Sequence, residues 1–204
     1  MPTVFTLVSA IILLTFAGLD VDLDKELKVP AYMWLILGFA LGCILKCFPK
    51  VRLCFPANWI LVVLILLLYA MAAAYFMFYY KLWEAAVGLV VTAVVVVLLC
   101  VCAAKCPRRI LPNGIIAMVI LLLLAVAALV LGIIWVVLKN TPCGLSFLAL
   151  LLLISIILLL YEVQFIHGRF ASVPLLEDPI VALAIHIDFL IIFLCLCGLY
   201  YFGK

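Results

Sequence analysis

Charge is what this sequence has least of. Only 10% of its 204 residues are Asp, Glu, Lys or Arg and only two are histidine, against 73% hydrophobic residues. A water-soluble domain of this size needs far more polar surface than that, so the shortage excludes one and leaves an integral membrane protein. The chain also lacks a basic n-region and a small-residue cleavage site, and Pro2 follows the first residue. The first apolar run is therefore expected to stay as a helix rather than to be removed as a signal peptide. Alternation of apolar and polar residues, which a membrane β-barrel requires, is missing too.

Continuous apolar runs take its place. Seven segments are expected to form helices: Met1–Leu19, Ala31–Phe48, Trp59–Tyr80, Ala85–Ala104, Gly114–Leu138, Leu145–Ile166 and Ile180–Phe202. Most reach the roughly 20 residues that cross a bilayer core. The fold class this implies is an all-α membrane protein, a seven-transmembrane-helix bundle, with residues 1–204 as a single multi-pass domain because the connections are short. Its expected surroundings are the lipid bilayer, with no nucleic-acid partner.

The few charges orient the bundle. Lys46, Lys50 and Arg52 follow the second segment, and Lys105, Arg108 and Arg109 follow the fourth, whereas Asp20, Asp22, Asp24 and Glu26 crowd the loop after the first. Basic loops stay on the cytosolic side, which places the N-terminus in the cytosol. Nine cysteines cannot all pair. Cys43, Cys47, Cys54, Cys100, Cys102 and Cys106 surround the two basic loops, where a cytosolic environment keeps thiols reduced, and Cys143 is the only cysteine expected in a loop on the other side. Gly38 and Gly42 form a GxxxG pair on the second segment, a spacing that permits close helix approach. Glu84 is expected at the turn between the third and fourth segments.

Two acids stand apart from the rest. Glu162 and Asp188 alone lie inside apolar runs, and they fall on consecutive helices. With a rise of about 1.5 Å per residue, Glu162 sits about 7 Å and Asp188 about 12 Å from the cytosolic ends of their helices. At such similar depth they can meet in the interior. One acid alone is readily explained as protonated and hydrogen-bonded to backbone, Tyr161 or His186. A pair points instead to cation coordination or proton handling, because intramembrane acids usually face a partner, a cavity or a pathway. Burial and mutual repulsion oppose the doubly charged state, so the two are expected to share protons as a unit. Deprotonated, they offer oxygen ligands to a hard cation such as Ca²⁺. Lys46 is either their counter-ion or a side chain that snorkels to the interface. His186, two positions from Asp188, is expected to be a satisfied polar group.

The same residues carry a family resemblance. "YEVQ", Tyr161 to Gln164, resembles the Y-D-x-Q pattern of the sixth helix in the transmembrane Bax inhibitor motif family, most nearly its Lifeguard branch, and "ALAIHIDF", Ala182 to Phe189, resembles that family's A-L-x-x-Y-L-D-I. "FPAN" (Phe55 to Asn58), "VVTAVV" (Val90 to Val95) and "CVCAAKC" (Cys100 to Cys106) are weaker echoes in the same order. The resemblance implies a seven-helix fold and a passive, pH-sensitive Ca²⁺ leak from an intracellular membrane, endoplasmic reticulum or Golgi, with suppression of apoptosis. It places the family's paired aspartates at Glu162 and Asp188, which would contact Ca²⁺ transiently as a permeant ion, with no cofactor. Glu162 departs from the family's Asp by one methylene. His186 stands where a Tyr is usual, and the family's basic R-K-V-Y segment before the first helix is not seen.

Other readings remain beside this one. A non-conducting member would regulate apoptosis by binding other membrane proteins, its buried acids serving as helix-packing hydrogen bonds. An intramembrane aspartyl protease also uses two acids on adjacent helices, but it carries glycine before the second acid, where this chain has His186 and Ile187. No enzymatic activity is expected. A seven-helix receptor would need the opposite orientation.

Overall fold

In a bilayer every backbone N–H and C=O must find its partner within the protein, and a chain with this composition does so by becoming helical. The computed structural model describes residues 2–19, 23–27, 29–52, 54–105, 114–166 and 178–203. In chain order they form α1 (Pro2–Leu19), α2 (Leu23–Leu27), α3 (Ala31–Cys47), α4 (Pro49–Arg52), α5 (Ala57–Ala74), a 3₁₀ extension of α5 (Tyr75–Tyr79), α6 (Leu82–Lys105), α7 (Gly114–Leu138), α8 (Thr141–Ile166) and α9 (Asp178–Gly203). Five of these are long and apolar enough to cross a membrane: α5 with its extension, α6, α7, α8 and α9. Two more apolar helices, over Thr3–Leu19 and Ala31–Leu45, are shorter. The chain is thus an all-helical, multi-pass membrane protein.

Hydrophobicity does not sort these helices, since lipid is as apolar as any side chain; polar and small residues decide which helix lies inside. α9 carries His186 and Asp188 and is the hub, packing against α1, α5, α6 and α8. Its membrane-length stretch is 61% buried. α7 has no charged or hydrogen-bonding side chain between Ile116 and Ile134, leans on α8, and is only 11% buried. α3 is peripheral in the same way, packed on α5.

The GxxxG pair on α3 has two different fates. A Cβ on Gly38 would meet Tyr69 Cε2 at 3.2 Å, whereas one on Gly42 would meet nothing within 4 Å. Gly38 therefore lets α3 approach α5 within this chain.

At the far end of the same helices, Trp34 Nε1 donates to the Tyr75 hydroxyl at 3.0 Å, and that hydroxyl donates to the Val29 carbonyl. This chain of bonds fastens the start of α3 to the 3₁₀ extension of α5. α7 and α8 form a tight hairpin. Lys139 turns the chain with φ of 48°, and its N–H closes α7 on the Trp135 carbonyl at 2.8 Å.

Some boundaries differ from expectation: α5, α6, α8 and α9 begin two to four residues earlier, whereas α3 ends at Cys47 rather than Phe48. α6 begins at Leu82, so Glu84 lies in its first turn rather than in a loop. One carboxylate oxygen of Glu84 accepts the Lys81 N–H at 3.3 Å, satisfying a donor that a helix start leaves open. α8 begins at Thr141, which puts Cys143 in its first turn instead of a loop. Every cysteine among the described residues is a free thiol. Asp20, Asp22, Lys28, Cys106, Arg108, Arg109, His167 and Glu177 lie outside the described residues.

Candidate functional site

The buried polar side chains are few, and most gather toward one end of the bundle. Ser9 of α1, Asn58 of α5, Gln164 of α8, and His186 and Asp188 of α9 are each at most 3% exposed. Their level is fixed by the apolar residues around them. Phe5 of α1, Leu45 of α3, Val62 of α5 and Ala182 and Leu183 of α9 share one core cluster, so the start of α1, the end of α3 and the starts of α5 and α9 lie at a common end. A second cluster contains Leu159 and Val163 of α8 together with Ile185 and Phe189 of α9. These residues flank Glu162 and Asp188 along their helices.

Asp188 is 3% exposed, and Glu162 is half-buried. The structure brings the two helix segments that carry them into one core, and both acids interact with other groups in the bundle. The side chain of Lys46 lies outside the described residues, although its backbone belongs to the last turn of α3. His186 is fully buried and polar-partnered: Ser9 Oγ lies 3.0 Å from its Nε2. The imidazole stacks on Phe189 at 6.4 Å between centroids, and Phe5 meets its edge at 6.4 Å. His186 Nδ1 has no hydrogen-bond partner among the described residues.

Gln164, the last residue of the YEVQ stretch, donates from Nε2 to the Ala103 carbonyl of α6 at 3.0 Å. An acceptor on the backbone of a membrane helix is hard to reach, because the carbonyl normally belongs to its own i+4 N–H. Ala103 lies close to the end of α6 at Lys105, where the final carbonyls have no such donor. Gln164 caps one of them from outside. The arrangement as a whole has carboxylates, an imidazole, a hydroxyl and two amides within a shell of aliphatic side chains, which suits it to hold or pass protons and to offer oxygen ligands.

Ser9 was not legible as part of this site. It is one of four hydroxyl residues in an otherwise apolar run, with Thr3, Thr6 and Thr15, and its partner is far away in the chain. The signal that existed was its position: on α1 it falls on the face of Phe5 and Leu13, both buried. Among the described residues no group of three or more His, Cys, Asp or Glu side chains gathers as around a resident metal ion. In comparison with known proteins, the sequence matches no family model and no curated protein.

Proposed function

We propose that this chain is a seven-helix membrane protein of the Bax inhibitor type, leaking Ca²⁺ passively and in a pH-sensitive way across an intracellular membrane. On this reading α1 and α3 cross the bilayer together with the five longer helices, the N-terminus is cytosolic, and the membrane is endoplasmic reticulum or Golgi. Glu162 and Asp188 form the gate, sharing protons in one state and facing the cation in the other. A lowered store content of Ca²⁺ would make the protein anti-apoptotic. The observation that carries this reading is the burial of Asp188, 3% exposed, on the central helix and in the core it shares with the Glu162 segment of α8. A carboxyl in such a place is costly, and residues of this kind usually mark a pathway. Conduction requires an opened state in which Asp188 meets water.

A second reading is supported by a separate observation. Ser9 with His186 and Gln164 with Ala103 are hydrogen bonds that join helices. A polar layer that only ties helices together would belong to a non-conducting protein acting through membrane partners. Ca²⁺ flux into liposomes containing the purified protein separates the two. The channel reading expects flux that changes with pH around neutrality, and loss of that dependence in Asp188→Asn. No flux at any pH from folded protein would leave partner binding.

A further inference from the structure

At the opposite end of the bundle from the buried acids, α6 and α9 part to leave a groove of about 280 Å³ that opens sideways toward lipid. Its mouth, at the start of α6, is lined by Tyr80, Trp83, Glu84 and Tyr200, and the stretch farther along the two helices by Val87, Val91 and Leu196. The order follows from helical spacing. Trp83, Glu84, Val87 and Val91 fall on one side of α6 at helical spacing, and Tyr80 joins them from the extended residue pair before the helix, so the lining grades from aromatic and acidic at the helix start to aliphatic farther along. The floor is set by Gly88, where a Cβ would stand 3.1 Å from Cys197 Sγ and 3.2 Å from Phe193 Cε2. A larger residue there would require both side chains to give by a few tenths of an ångström.

Tyr and Trp are common where membrane proteins meet the lipid headgroups. Here a carboxylate, one oxygen of which accepts the Lys81 N–H, lines the concavity together with the rings. Three aromatic residues and one carboxylate lining a groove suit a cation that has no N–H to donate, the composition of the aromatic cages that bind quaternary ammonium groups. Burial, with Cys197, Tyr201 and Glu84 nearby, raises the Tyr80 phenol above its usual range, so the ring stays neutral. Lys81 stands exposed on the turn beside the mouth, where a phosphate would lie next to a bound ammonium. A sterol would use neither charge.

We propose that this groove binds a phosphatidylcholine molecule, with its trimethylammonium among Tyr80, Trp83, Glu84 and Tyr200, its phosphate toward Lys81, and one acyl chain along Val87, Val91 and Leu196. The site is independent of ion conduction and stands whether or not the protein passes Ca²⁺.

The test uses the full chain in nanodiscs of phosphatidylglycerol doped with phosphatidylcholine that bears a photoactivatable group on one acyl chain. The site predicts cross-links concentrated on the α6 peptide through Val87 and Val91 and on the α9 peptide through Leu196. Unlabelled phosphatidylcholine should compete for them, and phosphatidylethanolamine should compete several-fold less well. Glu84→Gln and Trp83→Leu should each reduce the labelling several-fold. Trp83 is exposed to lipid, so its variant keeps the test valid if loss of the Glu84 contact to Lys81 N–H impairs folding. Equal labelling by a phosphatidylglycerol probe, labelling that neither variant changes, or displacement by a sterol but not by phosphatidylcholine would overturn the proposal.

Discussion

Ser9 Oγ and His186 Nε2 lie 3.0 Å apart, joining α1 to α9 through two side chains that are both fully buried. Removing one partner leaves the other desolvated and unsatisfied, which costs more than the bond contributes. Ser9→Ala and His186→Phe should therefore each lower the melting temperature in detergent, and the double variant should lose less than their sum. The coupling should be about 0.6 kcal/mol, the average for hydrogen bonds between membrane helices, and no more than about 1.7 kcal/mol. Strict additivity would show that the pair contributes nothing as a pair.

Gln164 gives a prediction with a pH sign. Its amide donates to the Ala103 carbonyl at 3.0 Å, and a carboxylate there could only repel that oxygen. Gln164→Glu recovers a donor when protonated and loses it when ionised. The variant should then be most stable in acid and lose stability as pH rises, whereas Gln164→Leu should show no such added dependence. Parallel pH profiles of thermal unfolding for the two variants would refute the contact.

The two glycines of α3 should respond unequally to the same change. Gly38→Val meets the Tyr69 ring and should destabilise by about 1–3 kcal/mol, as overpacking of a tight contact does. Gly42→Val faces open space and should be close to neutral. If Gly42→Val were the damaging one, and only above a threshold protein concentration, the motif would serve association between copies instead.

Glu162→Asp tests the proposed gate at its point of difference from the family it resembles. One methylene less should leave pH-dependent Ca²⁺ flux in place but move the pH at which it changes. Glu162→Gln should remove the dependence altogether. Identical profiles for wild type and both variants would take Glu162 out of the gate.

The helices themselves were largely readable, because a run of aliphatic residues in lipid has few structures open to it. All seven expected segments correspond to helices, and Gly114–Leu138 agrees at both ends. Errors arose where polar or small residues begin a helix. Glu84 and the Thr141–Gly144 stretch read as loops, yet helix starts favour such residues, which meet open N–H groups at the interface. The short α2 and α4 were not read at all, since four or five residues carry no periodic signal. At the site, Asp188 and Glu162 were conspicuous as charges in apolar runs. The Ser9–His186 bond was invisible because nothing in a sequence shows which distant helices touch.

The central position of α9 has a consequence for biogenesis. It is the last of the described helices to leave the ribosome, yet α1, α5, α6 and α8 all pack against it. Until it arrives, Ser9 waits without His186 and the earlier helices surround an empty axis. Assembly must then be a late event, with partly translated chains held in the membrane as loosely associated spans. Truncation before α9 would leave a protein that inserts but has nothing to close around, and that cellular quality control should recognise by its exposed intramembrane polar groups.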